Sequence, residues 1–309
     1  MKALVIGATG AVGSTTVSIL RGWGHQVTPA GRQSTHNGVV LDVGAPDLQQ
    51  LELLAEHHDV IINASGVENE SLGRSVGQAV LIDISATGAY LAALAENAPT
   101  AAMVLGVGLV PGLSTVLASE LRTSAGDALD VAVMLGSGEK HGSAAKAWTI
   151  GLVGSEITDT ADAGTVYNFR ERRWFASSSG KRHLYLRAGF PDHDLLGAER
   201  GVKIRSWLAL SDQTSTRALW LISRFPRLRG LIDKVPEFGS QDWAVTVVNR
   251  RTGETRRATG TGQSRATGHI TALAAVAALK NRPGRPVTLD AILSSSELAM
   301  LLDIAIETA

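Results

Sequence analysis

Short, wholly apolar runs alternate with helix-length stretches along the first third of the chain. Ala3-Leu4-Val5-Ile6 is apolar at every position, the pattern of a parallel strand covered on both faces. Residues 11–20 read as a helix closed by Gly22 and Gly24. Residues 26–30 and 39–43 predict a second and a third strand. Residues 47–57 carry Leu48, Leu51, Leu54 and Ala55 at helical spacing. A fourth strand at 60–62, a short helix at 71–77, a fifth strand at 80–82, a helix at 90–96 and a sixth strand at 103–105 complete the series. Strands and helices alternating in this way form a parallel sheet with helices on both faces. Right-handed crossovers then make the fold doubly wound α/β.

After residue 121 the pattern changes. Residues 129–135 read as a strand, 143–153 as a helix, and 202–210 alternate like a half-exposed strand. Residues 243–249 and 255–260 flank Arg251-Thr252-Gly253-Glu254, which reads as a hairpin turn. An alanine-rich helix follows at 271–279, and a last helix opens on Ser294-Ser295-Ser296-Glu297, a capping-box spacing. This mixture predicts a second α/β domain whose partly antiparallel sheet is covered by helices on one face. The expected division is 1–121 and 122–309, with a helical tail at 266–309 packing back on the first domain.

Composition narrows the classes. With 309 residues, two domains are favoured over one. Lys plus Arg and Asp plus Glu both number 29, so the chain lacks the basic excess of a general nucleic-acid or membrane-surface binder. The absence of cysteine excludes disulfides, a thiolate nucleophile and Cys-ligated metals. Residues 100–119 carry no charge and are long enough to suggest a membrane span, but Gly106, Gly108, Pro111 and Gly112 break them into strand, turn and helix start. No secretory signal is visible, and a cytoplasmic protein is expected.

The glycines supply the first chemistry. Gly7-Ala8-Thr9-Gly10-Ala11-Val12-Gly13 stands between the first strand and the first helix. There Gly7 permits a sharp turn, Gly10 lets a pyrophosphate approach the backbone, and Gly13 lets the helix pack closely on the strand. The anion then meets N–H groups at the positive helix end. A nucleoside-triphosphate loop would need a Lys after its last glycine, but Ser14 and Thr15 follow Gly13. The second strand ends in Pro29-Ala30-Gly31-Arg32-Gln33-Ser34, without the carboxylate that holds an NAD ribose. Gly31, Arg32 and Ser34 therefore favour NADP(H) over NAD(H), with Arg32 on the 2′-phosphate.

Ligands of open α/β sheets bind beyond the carboxyl ends of the strands. Asp42 and Val43 follow the third strand, with Asp42 placed to accept from the adenine amine. Asn63, Ala64, Ser65 and Gly66 follow the fourth strand and are expected to line the ribose and nicotinamide side. Ser85 and Ala86 follow the fifth, after Asp83, which reads equally well as the cap of the next helix. Gly108, Pro111 and Gly112 follow the sixth, and the Pro-Gly pair is expected to open a helix at 113–121.

The Ala8-Thr9-Gly10 turn, Leu81-Ile82-Asp83-Ile84-Ser85 and above all Gly106-Val107-Gly108-Leu109-Val110-Pro111-Gly112-Leu113-Ser114 resemble the saccharopine dehydrogenase-like (saccharopine reductase-like) oxidoreductases. The resemblance returns at Thr271-Ala272 and at Arg282-Pro283-Gly284-Arg285-Pro286-Val287, whereas 140–260 matches only in general pattern. It implies a Rossmann domain paired with a mixed α/β domain for substrate binding and dimerisation. It also implies NADPH-dependent reduction of imines or amino-acid conjugates, and a homodimer.

Carbonyl reduction needs a proton donor as well as hydride. Tyr90, Tyr167 and Tyr185 have no lysine four positions on, so the Tyr-xxx-Lys device of short-chain dehydrogenases is not encoded. Lys140 and His141, in a polar loop after a predicted strand, are the catalytic candidates. Lys146 on the next helix and His269 just before the alanine-rich helix stand behind them. His57, His58, His183 and His193 show no metal-ligand spacing, and no metal is expected. Arg170-Glu171-Arg172-Arg173-Trp174 and Arg224-Phe225-Pro226-Arg227-Leu228-Arg229 read as a solvated face or a recognition site for a substrate carboxylate. The expected activity is hydride transfer to or from a C=N or C=O group of a small polar substrate. A non-catalytic NADP(H) sensor and an atypical short-chain-type epimerase are the alternatives.

Overall fold

The computed structural model describes residues 1–33, 37–139, 149–157, 164–176, 180–225, 227, 239–302 and 304–308. In chain order the first elements are β1 (Lys2–Ile6), α1 (Ala11–Gly22), β2 (Gln26–Gly31), β3 (Val39–Val40), α2 (Gln49–Ala55) and β4 (Val60–Asn63). There follow α3 (Leu72–Ser75), β5 (Val80–Asp83), α4 (Gly88–Asn97), β6 (Met103–Leu105) and α5 (Ser114–Ser119). The middle of the chain forms β7 (Ala128–Leu135), β8 (Glu156–Ile157), β9 (Val166–Tyr167), β10 (Arg172–Ala176), β11 (Arg182–Ala188) and β12 (Lys203–Leu210). After these come α6 (Gln213–Arg224), β13 (Asp242–Asn249), β14 (Thr255–Thr261), α7 (Gln263–Lys280), β15 (Pro286–Thr288), α8 (Ser295–Leu301) and β16 (Ala305–Thr308).

The chain divides into two compact units, one of Met1–Val116 with Ser264–Leu298, the other of Leu117–Gln263 with Ala299–Ala309. The first is built on a parallel sheet in the order β15-β6-β5-β4-β1-β2-β3, the doubly wound arrangement that the alternation predicts. Its winding reverses between β1 and β4, whose residues Ile6 and Asn63 stand side by side. The centre is dry: Leu4, Val5, Val60, Ile61, Ile62, Leu81 and Ile82 are all fully buried.

Three features of this unit depart from the local pattern. The third strand is only two residues long, because at Asp42 the chain turns, with Gly44 N–H donating to its carboxylate at 2.9 Å. A seventh strand, β15, pairs in parallel with β6 from far along the chain. Helix α7 starts eight residues before the predicted 271, which puts His269 inside the helix rather than ahead of it. The early turns contain Thr267, Gly268 and Ile270, poor helix formers by propensity. Packing overrides that preference, since a Cβ at Gly268 would stand only 2.7 Å from the Thr15 side chain and 3.1 Å from the Val12 carbonyl.

The second unit holds a mixed sheet in the order β10-β11-β12-β7-β13-β14-β16. β12 and β7 run parallel and the other neighbours antiparallel. The hairpin between β13 and β14 forms as its turn residues predict, with Gly253 at φ +78° and its N–H on the Asn249 carbonyl. Helix α6 packs on β11 and β12, burying Leu219 and Ile222. Residues 149–152 are helical, and the rest of the helix predicted from 143 lies outside the described residues. Among the described residues no helix is long and apolar enough to cross a membrane, and 100–119 resolve into β6, a turn and α5.

Candidate functional site

The candidate site lies at the carboxyl ends of the first sheet's strands and begins at the glycine turn. Gly7 has φ +79°, a region that favours glycine, and a Cβ there would run into the Ala64 carbonyl and Ser65. The Gly7 and Ala8 N–H groups both donate to the Ala30 carbonyl, at 2.9 and 3.2 Å, tying the turn to the end of β2. Gly10 N–H returns to the Gly7 carbonyl at 3.0 Å. A side chain at Gly13 would overlap that same carbonyl, so α1 can approach β1 this closely only with glycine there.

Helix α1 opens without a cap. Gly10 at its N-cap offers no side-chain acceptor, and the first turn holds no acid. The N–H groups of Ala11, Val12 and Gly13 have no acceptor among the described residues. Thr9, Gly10 and Ala11 are exposed, so the positive end of the helix faces solvent. An anion is the ligand that such an end accepts.

Beside this turn, Gly31 closes β2 half-buried and Arg32 is exposed, with no ion pair among the described residues. Ser34 lies outside the described residues. Asp42 is exposed and caps its own turn, whereas Val43 is buried and its carbonyl accepts from Asn69 Nδ2 at 2.9 Å.

The loops after β4 and β5 are locked together from below. Asn63 is 1% exposed, and its Nδ2 donates to the Asp83 carboxylate at 2.8 Å and to the Val67 carbonyl at 3.1 Å. Its Oδ1 accepts from the Ser65 hydroxyl at 2.6 Å, which fixes Ala64, Ser65 and Gly66. Asp83 is fully buried and also accepts from Ser85 N–H at 2.8 Å and from the Tyr90 hydroxyl at 2.9 Å. Burial pushes the Asp83 carboxyl above the usual carboxylate range, against the pull of these hydrogen bonds. Burial and the adjacent Asp83 together push the Tyr90 phenol far above its ordinary value. Asp83 is therefore not the cap of α4, which opens at Thr87, but the joint holding Ser85 and Ala86 to the Asn63 loop. Sequence reasoning noticed Tyr90 only for the lysine it lacks.

After β6 the chain folds back on itself, with Gly106 at φ +64° and Gly112 at φ +120°. Gly108, Pro111 and Gly112 are buried, and the Val110–Pro111 bond is cis. The expected helix start at 113 moves to Ser114, because Val110 to Gly112 have non-helical backbone angles. A Cβ at Gly108 would touch the Thr267 methyl group at 3.4 Å, and the Thr16 hydroxyl reaches the Gly268 carbonyl at 3.3 Å. Helix α7 thus borders both the glycine turn and the β6 turn, which the sequence reading, starting the helix at 271, did not see. His269 is half-buried in it, its pKa lowered by burial and then by Arg265.

The catalytic candidates Lys140 and His141, and Lys146 with them, lie outside the described residues. Other histidines have structural work: His58 bridges the Leu54 carbonyl and the Thr28 hydroxyl, and buried His193 accepts from Ile204 N–H at 3.2 Å. No group of three or more His, Asp or Glu among the described residues is arranged to hold a metal. The basic cluster at 170–174 is not simply solvated. Arg170 lies over the Tyr167 ring, Arg172 over Trp220, and Arg173 pairs with Asp130 at 2.8 Å.

No family model matches the chain, and no curated protein matches it. Among solved structures it is similar to the 3-alpha-hydroxysteroid dehydrogenase from Pseudomonas sp. B-0831 in complex with NADH, at 12% identity and a TM-score of 0.25. The match covers 32% of this chain, which spans 57% of the length of that one. At that similarity the match carries no argument about activity.

Proposed function

We propose that this chain is an NADP(H)-dependent oxidoreductase that moves hydride to or from a C=N or C=O group of a small polar substrate. One observation carries the reading: the glycine turn delivers the uncapped, exposed end of α1 to the carboxyl edge of a doubly wound sheet, beside Arg32. The cradle fits a dinucleotide, since the turn leaves the α1 amides uncapped at an exposed end and Gly10 there adds no side chain to block an anion. The amides of Ala11, Val12 and Gly13 would hold the pyrophosphate. Arg32 would pair with the 2′-phosphate, and the loops at 63–66 and 84–86 would border the nicotinamide half.

When bound, the nucleotide supplies or accepts the hydride. The chain's part is to bind, orient and exclude water. The Asn63–Asp83–Tyr90 joint keeps two of the lining loops in register, at 2.8 and 2.9 Å. The motif resemblance to saccharopine dehydrogenase-like enzymes supports an imine or amino-acid conjugate as substrate and a homodimer. It also supports the second unit as the substrate-binding part.

Arg32→Ala tests the nucleotide. A charge-assisted contact to phosphate contributes about 1.5–3 kcal/mol, so NADPH affinity should fall about ten- to a hundredfold while NADH affinity stays unchanged. Equal losses for both nucleotides would overturn the NADP assignment. A screen of imines, keto acids and aldehydes tests turnover, and tight NADPH binding with no oxidation of it by any of them would mark a sensor instead.

A further inference from the structure

The basic cluster at 170–174 contains one arginine that the fold does not use up. Arg170 lies over Tyr167 and donates from Nε to the Ser223 carbonyl at 3.4 Å, and Arg173 pairs with Asp130. Arg172 leaves the opposite face of β10 from Arg173, with Trp174 two residues further along the same face. That face is open for a topological reason. β10 is the outermost strand of its sheet, and α6 packs on β11 and β12, one strand further in. The step between strand and helix is a groove of about 780 Å³, the size of a small-molecule site.

Its lining is apolar and carries two charges of one sign. Leu184, opposite Trp174 in the register, is buried, whereas Trp174 and Leu221 on α6 are 46% and 49% exposed. Trp220 is fixed by its Nε1, which donates to the Arg170 carbonyl at 3.2 Å. Large apolar side chains left this open around one groove mark a binding surface rather than scattered exposure. Arg172 lies over the Trp220 ring, 4.3 Å from its centre, and Arg217 joins it from α6. No Asp or Glu lines the groove, and neither arginine makes an ion pair among the described residues. Asp212, at the start of α6, is taken up in capping the helix, where it accepts from Thr214 N–H, Ser215 N–H and the Ser215 hydroxyl. The charge the groove lacks is negative.

We propose that the groove binds a small apolar acid, with its alkyl or aromatic body among Trp174, Trp220 and Leu221 and its carboxylate on Arg172 and Arg217. A guanidinium stacked on an indole keeps its N–H edge for a carboxylate, and its planar fork loses little freedom on pairing. An added peptide strand is disfavoured, because two of the five β10 residues are arginines and charge guards an exposed edge. The site lies wholly in the second unit and does not depend on the nucleotide reading.

Isothermal titration of the full chain without nucleotide tests it, with octanoate and phenylbutyrate as probes. Acetate supplies the charge without the body, and phenylbutanamide the body without the charge. At least one probe should bind, and both controls should bind about tenfold more weakly or not at all. Arg172→Met combined with Arg217→Met should weaken the acid about tenfold or more, and Arg172→Lys with Arg217→Lys should restore part of the affinity. Leu221→Asp, which brings a negative charge to the groove, should abolish binding. All three substituted residues are exposed, and circular dichroism checks that each variant is folded. Binding of neither probe, equal binding of phenylbutanamide, or unchanged affinity in the folded double methionine variant would overturn the site. So would a dimer in sedimentation that Leu221→Asp splits while the probes fail to bind, because the groove would then belong to a second copy.

Discussion

The Gly7 carbonyl occupies the place where the first side-chain carbon of residue 13 would have to stand. The turn and the helix that follows it are therefore set at a distance that only glycine permits. Gly13→Ala should push α1 off β1 and destabilise the fold by about 1–3 kcal/mol, the usual range for overpacking. NADPH binding should fall with it. Gly22→Ala, at the end of the same helix where nothing lies within 4 Å, should be neutral or slightly stabilising. Thermal unfolding with and without nucleotide separates the two variants.

Asp83 should leave a pH signature of unusual sign. Its folded-state pKa is raised above the ordinary 3.8 by burial, so the fold takes up its proton more readily than the unfolded chain does. Its contribution is fully present below pH 3.8 and is lost as pH rises through the folded value. Asp83→Asn does not titrate there. Urea unfolding from pH 4 to 8 should show wild-type stability declining relative to Asp83→Asn, and a constant difference would count against the assignment.

Asp127 should behave the opposite way. It accepts from Ser124 N–H and Asn249 Nδ2 at 3.0 Å each and from Arg251 at 2.5 and 2.9 Å, and chiefly the Arg251 bond holds its carboxyl well below the usual range. With a depressed folded pKa, its contribution is present above about pH 4 and is lost as pH falls below that. Asp127→Asn should therefore lower the melting temperature at pH 7 and narrow the difference from wild type toward pH 2, as read by circular dichroism.

Ser294 and Glu297 cap α8 reciprocally. Ser294 N–H donates to the Glu297 carboxylate at 2.8 Å, and Glu297 N–H donates back to the Ser294 hydroxyl at 3.3 Å. Ser294→Ala should cost about 0.5–2 kcal/mol in chemical unfolding and leave nucleotide affinity unchanged.

Where neighbours along the chain decide the outcome, the residue pattern was enough. Fully apolar strands, a glycine turn at the β1–α1 junction, the Arg251-to-Glu254 hairpin turn and the Ser294–Glu297 box each act within a few residues, and each formed as read. The glycines and the carboxylate-free end of β2 marked the candidate site for the same reason. What pattern left open depends on contacts between distant residues. β15 is three residues long and becomes a strand only because β6 offers an edge, 183 positions from Met103 to Pro286 in the register. Helix α7 begins at Gln263 because α1 accepts Gly268, and Asp83 is a buried joint rather than a cap because Asn63 and Tyr90 converge on it. Only the packing of α6 on the sheet sets Arg217 and Leu221 beside Arg172 and Trp174, since a period of two shows that a side chain points up or down but not which elements lie beside it.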